Sequence, residues 1–163
     1  MQAVQTTATE HAARIALRPR EYLTFRLGDE EYGIDILRVQ EIRGYEQPTR
    51  IANVPDYIKG VVNLRGVIVP IIDLRLKFNL GAAQYNQFTV VIVLNVNQRV
   101  IGAVVDSVSD VLELDAKDIR DAPDLSAIVD SSCIMGLGTL EERMLILIDI
   151  EKLMMSPEMG MVG

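Results

Sequence analysis

The chain has one cysteine, one histidine and no tryptophan in 163 residues, and nowhere a run of lysine or arginine. Each shortage closes off a class of function. A lone Cys133 cannot form an internal disulfide, and with no second cysteine or nearby histidine it offers neither a zinc set nor a Cys–His nucleophile. It is expected to be a half-buried structural thiol, in a protein of the reducing cytoplasm. The single His11, in "TTATEHAAR", lacks the acidic or nucleophilic neighbours that general-base chemistry requires and reads as a solvated tail residue. No GxGxxG or GxxxxGK[ST] string occurs, and "GLGTL" at 136–140 is too short a glycine signal for a nucleotide. The apolar stretches "TVVIVLNV" and "MLILIDI" end well short of the roughly 18 residues of a membrane span, and the first residues lack the basic-then-apolar order of a secretory signal. A formal net charge of −7 without a basic cluster repels phosphate backbones and anionic membranes. The carboxylates are scattered: Asp29-Glu30-Glu31 reads as a solvated turn, and Asp106 and Asp110 read as exposed strand positions. Nucleic acid, direct membrane insertion, metal and nucleotide cofactor are therefore not expected, and no residue set singles out catalysis.

What is present is the composition of a globular domain, 49% hydrophobic and 24% charged. Residues 1–20, rich in Ala and Thr with no sustained apolar period, read as a mobile tail. From Glu21, "EYLTFRLGDEEYGI" has two runs of strand formers around "GDEE", the pattern of a β-hairpin. In "ILRVQEIRGY" the apolar positions 36, 37, 39 and 42 suit a short helical turn as well as an irregular strand. "PDYIKGVV" carries Pro55 and Asp56 at its head, as a short helix would. "GVIVPIIDL", "QFTVVIVLNV" and "RVIGAVVDSVSDVLEL" are rich in β-branched residues, so the fold is expected to be mostly β. "DIEKLMMSPEM" begins with a capping Asp and spaces Ile150, Leu153 and Met154 along one face, which predicts a closing C-terminal helix. Residues 156–163 read as a second tail.

The chain also repeats itself. Shifted by 69 positions, Tyr22, Leu23, Phe25 and Leu27 fall on Val91, Ile92, Leu94 and Val96, Gly33 on Gly102, and Val39, Glu41 and Ile42 on Val108, Asp110 and Val111. After a longer connection the shift becomes 76: Gly60 falls on Gly136, Leu64 on Leu140, and "VPIIDL" on "LILIDI", so that Asp73 meets Asp149. Coincident glycines and aspartates, in order, point to duplication rather than to shared hydrophobicity. Each half, at about 21–80 and 88–153, is near the lower size limit for an independent core, so two small barrels sharing a buried seam are expected.

Arg65 interrupts the otherwise sheet-like "KGVVNLRGVIVPIIDL". Its repeat partner is Glu141, so the same turn is built without arginine and the fold does not demand one there. Arg65 is either an ordinary exposed turn charge or a presented interface anchor.

"EYGIDILRVQEIRGY", "PDYIKGVVNLRGVIVPIIDLRLKF", "TVVIVL" and "RVIGAVVDSVSDVLEL" resemble the bacterial chemotaxis coupling family, CheW, over residues 21–155. The resemblance implies two SH3-like five-stranded β-barrels side by side. It also implies a non-enzymatic, cofactor-free adaptor that links the cytoplasmic tip of methyl-accepting chemoreceptors to the regulatory domain of the histidine kinase CheA and is recruited to membrane receptor arrays. By motif position, Ile36, Val39, Glu41, Ile42, Gly60 and Arg65 would serve partner contacts. Val108 and Val111 would line a groove for the receptor's helical tip, and Leu125 a second kinase-facing surface. Each apolar residue among them is also a candidate for the core. The same fold occurs as the kinase's own regulatory domain and in receiver fusions, but no further 120 or so residues with a phosphoacceptor aspartate are present. A small hydrolase is the remaining rival.

Overall fold

The computed structural model describes residues 20–81, 85–121 and 133–154. Eleven strands make two sheets. One has the order β8-β1-β2-β11-β10-β9, from β1 (Arg20–Leu27), β2 (Glu30–Asp35), β8 (Ser107–Leu114), β9 (Ile119–Arg120), β10 (Ile134–Leu140) and β11 (Arg143–Ile148). The other has the order β3-β6-β7-β5-β4, from β3 (Val39–Gly44), β4 (Ile58–Leu64), β5 (Val67–Asp73), β6 (Val90–Val96) and β7 (Arg99–Val105). Two short helices follow the last strand of each half, α1 (Leu74–Lys77) and α2 (Ile150–Met154). The expected closing helix is α2, with Ile150, Leu153 and Met154 buried. The helix expected at "PDYIKGVV" is not formed. Pro55 starts a turn closed by the Ile58 amide on its carbonyl (3.0 Å), and the chain then runs straight into β4.

The two sheets have one topology. With β1 and β2 of the first repeat matched to β6 and β7 of the second, and β3, β4 and β5 to β8, β10 and β11, both read third-first-second-fifth-fourth. Neither sheet, however, is built from one of the halves at about 21–80 and 88–153. β1 and β2 join the last strands of the second half, and β6 and β7 join those of the first. The chain crosses between sheets at the 3₁₀ turn Ile36–Arg38 and again at Asp106. Local hydrophobic periodicity reports which face of a strand is buried, not which sheet it enters, so this exchange leaves no mark on it.

Alternation then builds three cores. Along β1, Tyr22 faces the inside of its own barrel with Leu114, Leu145 and Leu147, while Leu23, Phe25 and Leu27 face the other barrel. The second barrel has its own interior of Val69, Ile71, Val91, Val93 and Val104. Between them lies a larger core that draws Phe25, Tyr32, Ile34 and Ile148 from one sheet, Ile58, Ile72, Ile92 and Leu94 from the other, Leu74, Leu153 and Met154 from the helices, and Phe78 from the C-cap of α1.

The repeated polar residues have matching structural causes. A side chain at Gly33 would meet Leu147 and Tyr22, and one at Gly102 would meet Ile71 and Val91, the same two repeat positions. Gly60 and Gly136 lie where the chain after each edge strand passes back over the sheet, as the Thr49–Val61 bridge in one barrel and as the two-residue β9 on β10 in the other. Asp73 caps α1 by accepting from the Arg75 and Leu76 amides, and Asp149 caps α2 by accepting from the Lys152 amide. The backbone amides of both aspartates bond back at 2.7 Å, Asp73 to Tyr57 and Asp149 to Cys133. Cys133 thus takes the place of an aromatic residue, and it is fully buried in the inter-barrel core rather than half-buried.

Candidate functional site

The ambiguous "ILRVQEIRGY" is a 3₁₀ turn followed by an irregular strand. On β3, Val39 pairs with Leu94 and Ile42 with Ile92, so Gln40 and Glu41 together oppose the single Val93. On β8, Val108 pairs with Phe25 and Val111 with Leu23, so Ser109 and Asp110 together oppose Thr24. Each edge strand carries a β-bulge at the same repeat position. Without it, residues three apart would point to opposite faces; with it, Val39 and Ile42 share one face, and Val108 and Val111 another. Their cross-strand partners Leu94, Ile92, Phe25 and Leu23 all belong to the inter-barrel core, so both pairs extend that core outward. Ile36, Val39 and Val108 are half-buried against it, whereas Ile42 is 45% and Val111 46% exposed. The inner residues are therefore both core and rim, and the outer two are free apolar surface.

Each bulge also places a carboxylate beside an arginine. Arg65 lies in the two-residue turn between Leu64 and Val67, with φ 51° there and 89° at Gly66, the left-handed pair of a type I′ turn. The Asn63 side chain accepts from the Gly66 amide at 2.8 Å and fixes the turn. The Arg65 side chain is 63% exposed and donates to Glu41 at 2.8 Å, across the seam between the two outermost strands of its sheet. Arg43 donates to the other Glu41 oxygen at 3.2 Å. The Arg65 hydrogen bond, with help from Arg43, holds the Glu41 carboxyl below the usual carboxylate range.

In the second repeat Glu141 has the same left-handed backbone, φ 57°. The arginine is not lost there but moved two positions on. Arg143 faces Leu140 across the turn and donates to both oxygens of Asp110 at 3.0 Å, the repeat counterpart of Glu41. It also forks onto Glu31 at 2.7 and 3.2 Å. Buried Thr24 completes the set, with its hydroxyl accepting from the Asp110 amide at 3.1 Å and donating to the Asp110 carboxylate. Arg143, then Thr24, lower the Asp110 pKa, and Asp110 followed by Glu31 raises that of Arg143. Glu31 and Asp110 are thus partners in a network, not the solvated charges that the sequence suggests. The alignment of Asp110 with Glu41 was the available signal for this; the two-residue displacement of the arginine hid it.

Gly60 is buried at φ 141°, and a Cβ there would lie 2.0 Å from the Thr49 carbonyl oxygen. Its geometry accounts for the glycine without a partner, and it presents no side chain to one. Leu125 and the tails at 1–19 and 155–163 lie outside the described residues. A cleft of about 560 Å³ lies between the β3–β4 connection and Tyr85, and its lining includes the stacked Tyr45 and Tyr85 rings together with Arg50, Asp56 and Lys59. Tyr85, its pKa raised by burial and by its bond to Asp73, stays neutral there. Among the described residues no group of three His, Cys, Asp or Glu could hold a metal ion, and no helix is long and apolar enough to cross a membrane.

The CheW-like domain family matches residues 21–158. A chemotaxis protein CheW of Klebsiella aerogenes is 64% identical over 143 residues, 88% of this chain and 86% of that protein. One of Rhizobium meliloti is 36% identical over 150 residues, 92% and 97% of the two chains. The crystal structure of the scaffolding protein TtCheW from Thermoanaerobacter tengcongensis superposes with a TM-score of 0.79 at 29% identity, covering 86% of this chain and 95% of that one.

Proposed function

This chain belongs to the CheW-like family, and from that premise we propose that it is a chemotaxis adaptor whose work is binding rather than turnover, coupling the cytoplasmic tip of chemoreceptors to the regulatory domain of the kinase CheA. The observation that carries the reading is the doubled edge strand. Two bulges at equivalent positions each extend the inter-barrel core into exposed apolar surface, at Ile42 and at Val111, and each is flanked by an arginine–carboxylate set. An apolar strip next to oriented charge is suited to receive an amphipathic helix or a matching barrel. Val108 and Val111 form the surface for the receptor helices. Ile36, Val39, Glu41, Ile42 and Arg65 form a surface for the kinase domain, with Gly60 supporting it from beneath. Leu125 belongs to a second kinase-facing surface. Receptor binding would bring the protein to the membrane without its entering the bilayer. The domain unit is residues 21–155, with Arg20 just before it already paired as the first residue of β1.

The test is a reconstituted complex of receptor, kinase and this protein, with Ile42→Asp and Val111→Asp compared. A charge buried in either contact should weaken the corresponding partner at least about thirtyfold, as for a hot-spot residue, while leaving the unfolding midpoint close to wild type. Wild-type coupling by both folded variants would refute the assignment.

A further inference from the structure

Both crossovers between the sheets are tied down by an ion pair, and the two ties have opposite polarity. Arg75 on α1 donates to Asp106, in the β7-to-β8 crossover, at 2.7 Å. Arg38, in the β2-to-β3 crossover, donates at 2.9 Å to Glu151 on α2. Arg75 and Glu151 are repeat counterparts, 76 positions apart, on the short helices that end the two halves. The second copy keeps the tie and reverses its sign. Asp106 is held further by the Gly28 amide, which donates to its carboxylate at 2.7 Å from the β1–β2 hairpin, and its own amide donates to the Arg26 carbonyl at 3.0 Å.

The ties stand next to the proposed contact residues. Arg38 lies between Ile36 and Val39, and Asp106 is two residues before Val108. These three apolar residues are the half-buried ones that join the inter-barrel core to its exposed rim. The Arg38–Glu151 pair, 36% and 42% exposed at its two ends, contributes little to stability, so its use is sought in position rather than in stability.

We infer that Arg38–Glu151 and Arg75–Asp106 are positioning pairs that set where Ile36, Val39 and Val108 stand at the partner-binding rim. The inference rests on the reading of that rim as the binding surface. What matters in each pair is the tie and not which end carries which charge, so a swapped pair should serve as well as the native one.

The experiment uses the full chain, with Arg38→Glu, Glu151→Arg and the double variant. Three quantities are followed: affinity for the purified kinase regulatory domain, urea unfolding midpoint, and the methyl NMR shifts of Ile36 and Val39. Each single reversal should weaken binding about tenfold or more and move the methyl signals, with the midpoint nearly unchanged; the double variant should recover most of both. Arg38→Met and Glu151→Gln replace any reversal that does not fold, with the same loss expected. Binding within about twofold of wild type in the singles, or a double variant no better than the worse single, overturns the inference. Ile42→Asp in the same assay separates the two ideas. If it loses binding while the ion-pair variants do not, only the positioning role fails; if it binds normally, the rim is not the surface and both fail.

Discussion

Gly60→Ala tests whether Gly60, proposed above to support the partner surface, acts by touching a partner or by letting the chain close. The added Cβ would lie 2.0 Å from the Thr49 oxygen and 2.7 Å from the Thr49 carbonyl carbon, both backbone atoms with no rotamer to yield. The segment at Thr49 must therefore lift away from β4, breaking its two hydrogen bonds with Val61, each 2.9 Å. Those bonds are worth about 1 kcal/mol each, and an L side chain at φ 141° adds about 1–2 kcal/mol of backbone strain. The expected destabilisation is about 3–4 kcal/mol, a large part of the roughly 5–15 kcal/mol that holds a domain together. At about 2–4 °C per kcal/mol for a chain of this size, the melting temperature should fall by about 6–16 °C. Thermal unfolding by circular dichroism reads the shift, and partner binding is measured on the same sample well below the transition. A variant melting within about 2 °C of wild type yet unable to bind would refute the reasoning and make Gly60 a contact residue after all.

Arg65→Ala should fold normally, because the side chain is largely solvent-exposed and, among the described residues, bonds to Glu41 alone, but should lose about thirtyfold in affinity and uncouple the kinase in a reconstituted complex; full coupling by the folded variant would leave Arg65 an ordinary turn charge. Arg65→Lys should rescue only in part, since it keeps the charge and loses the planar fork, and Arg65→Gly should melt no lower than wild type because φ 51° suits glycine. The Asp110 pKa is depressed by Arg143 and Thr24, so its contribution to stability is complete above its unfolded pKa of about 4 and is lost as pH falls through the lower folded value. Urea midpoints measured between about pH 6 and pH 2.5 should accordingly fall less steeply for Asp110→Asn than for wild type, and an identical slope would show that the network does not depress Asp110. Cys133→Ser, which puts a hydroxyl into the inter-barrel core, should cost about 1–3 kcal/mol; an unchanged unfolding midpoint would show that the site readily accommodates a polar group.

Much of this protein is written in local signals. Runs of β-branched residues, the "GDEE" turn and the capping Asp149 are short-range features, and each produced the element expected of it. The duplication was legible because tight approaches leave little choice of residue: Gly33 and Gly102 each face the same pair of repeat positions, and Gly60 and Gly136 both lie under a crossing backbone. What the chain order does not carry is partnership at long range. That β1 and β2 pair with strands 81 to 114 residues away, while β6 and β7 complete the other sheet, is decided by which apolar faces find each other on collapse. The bulges at Gln40-Glu41 and Ser109-Asp110 were equally hidden, because an irregular strand and a helical turn place apolar residues at similar spacings. Only the folded sheets turn Val39 with Ile42, and Val108 with Val111, to a common side. Arg143 shows the same limit at the scale of one side chain. Sequence alignment sets Arg65 opposite Glu141, but a guanidinium on a long flexible stem can reach the same carboxylate position from the other side of the turn, and distance in space decides which arginine serves.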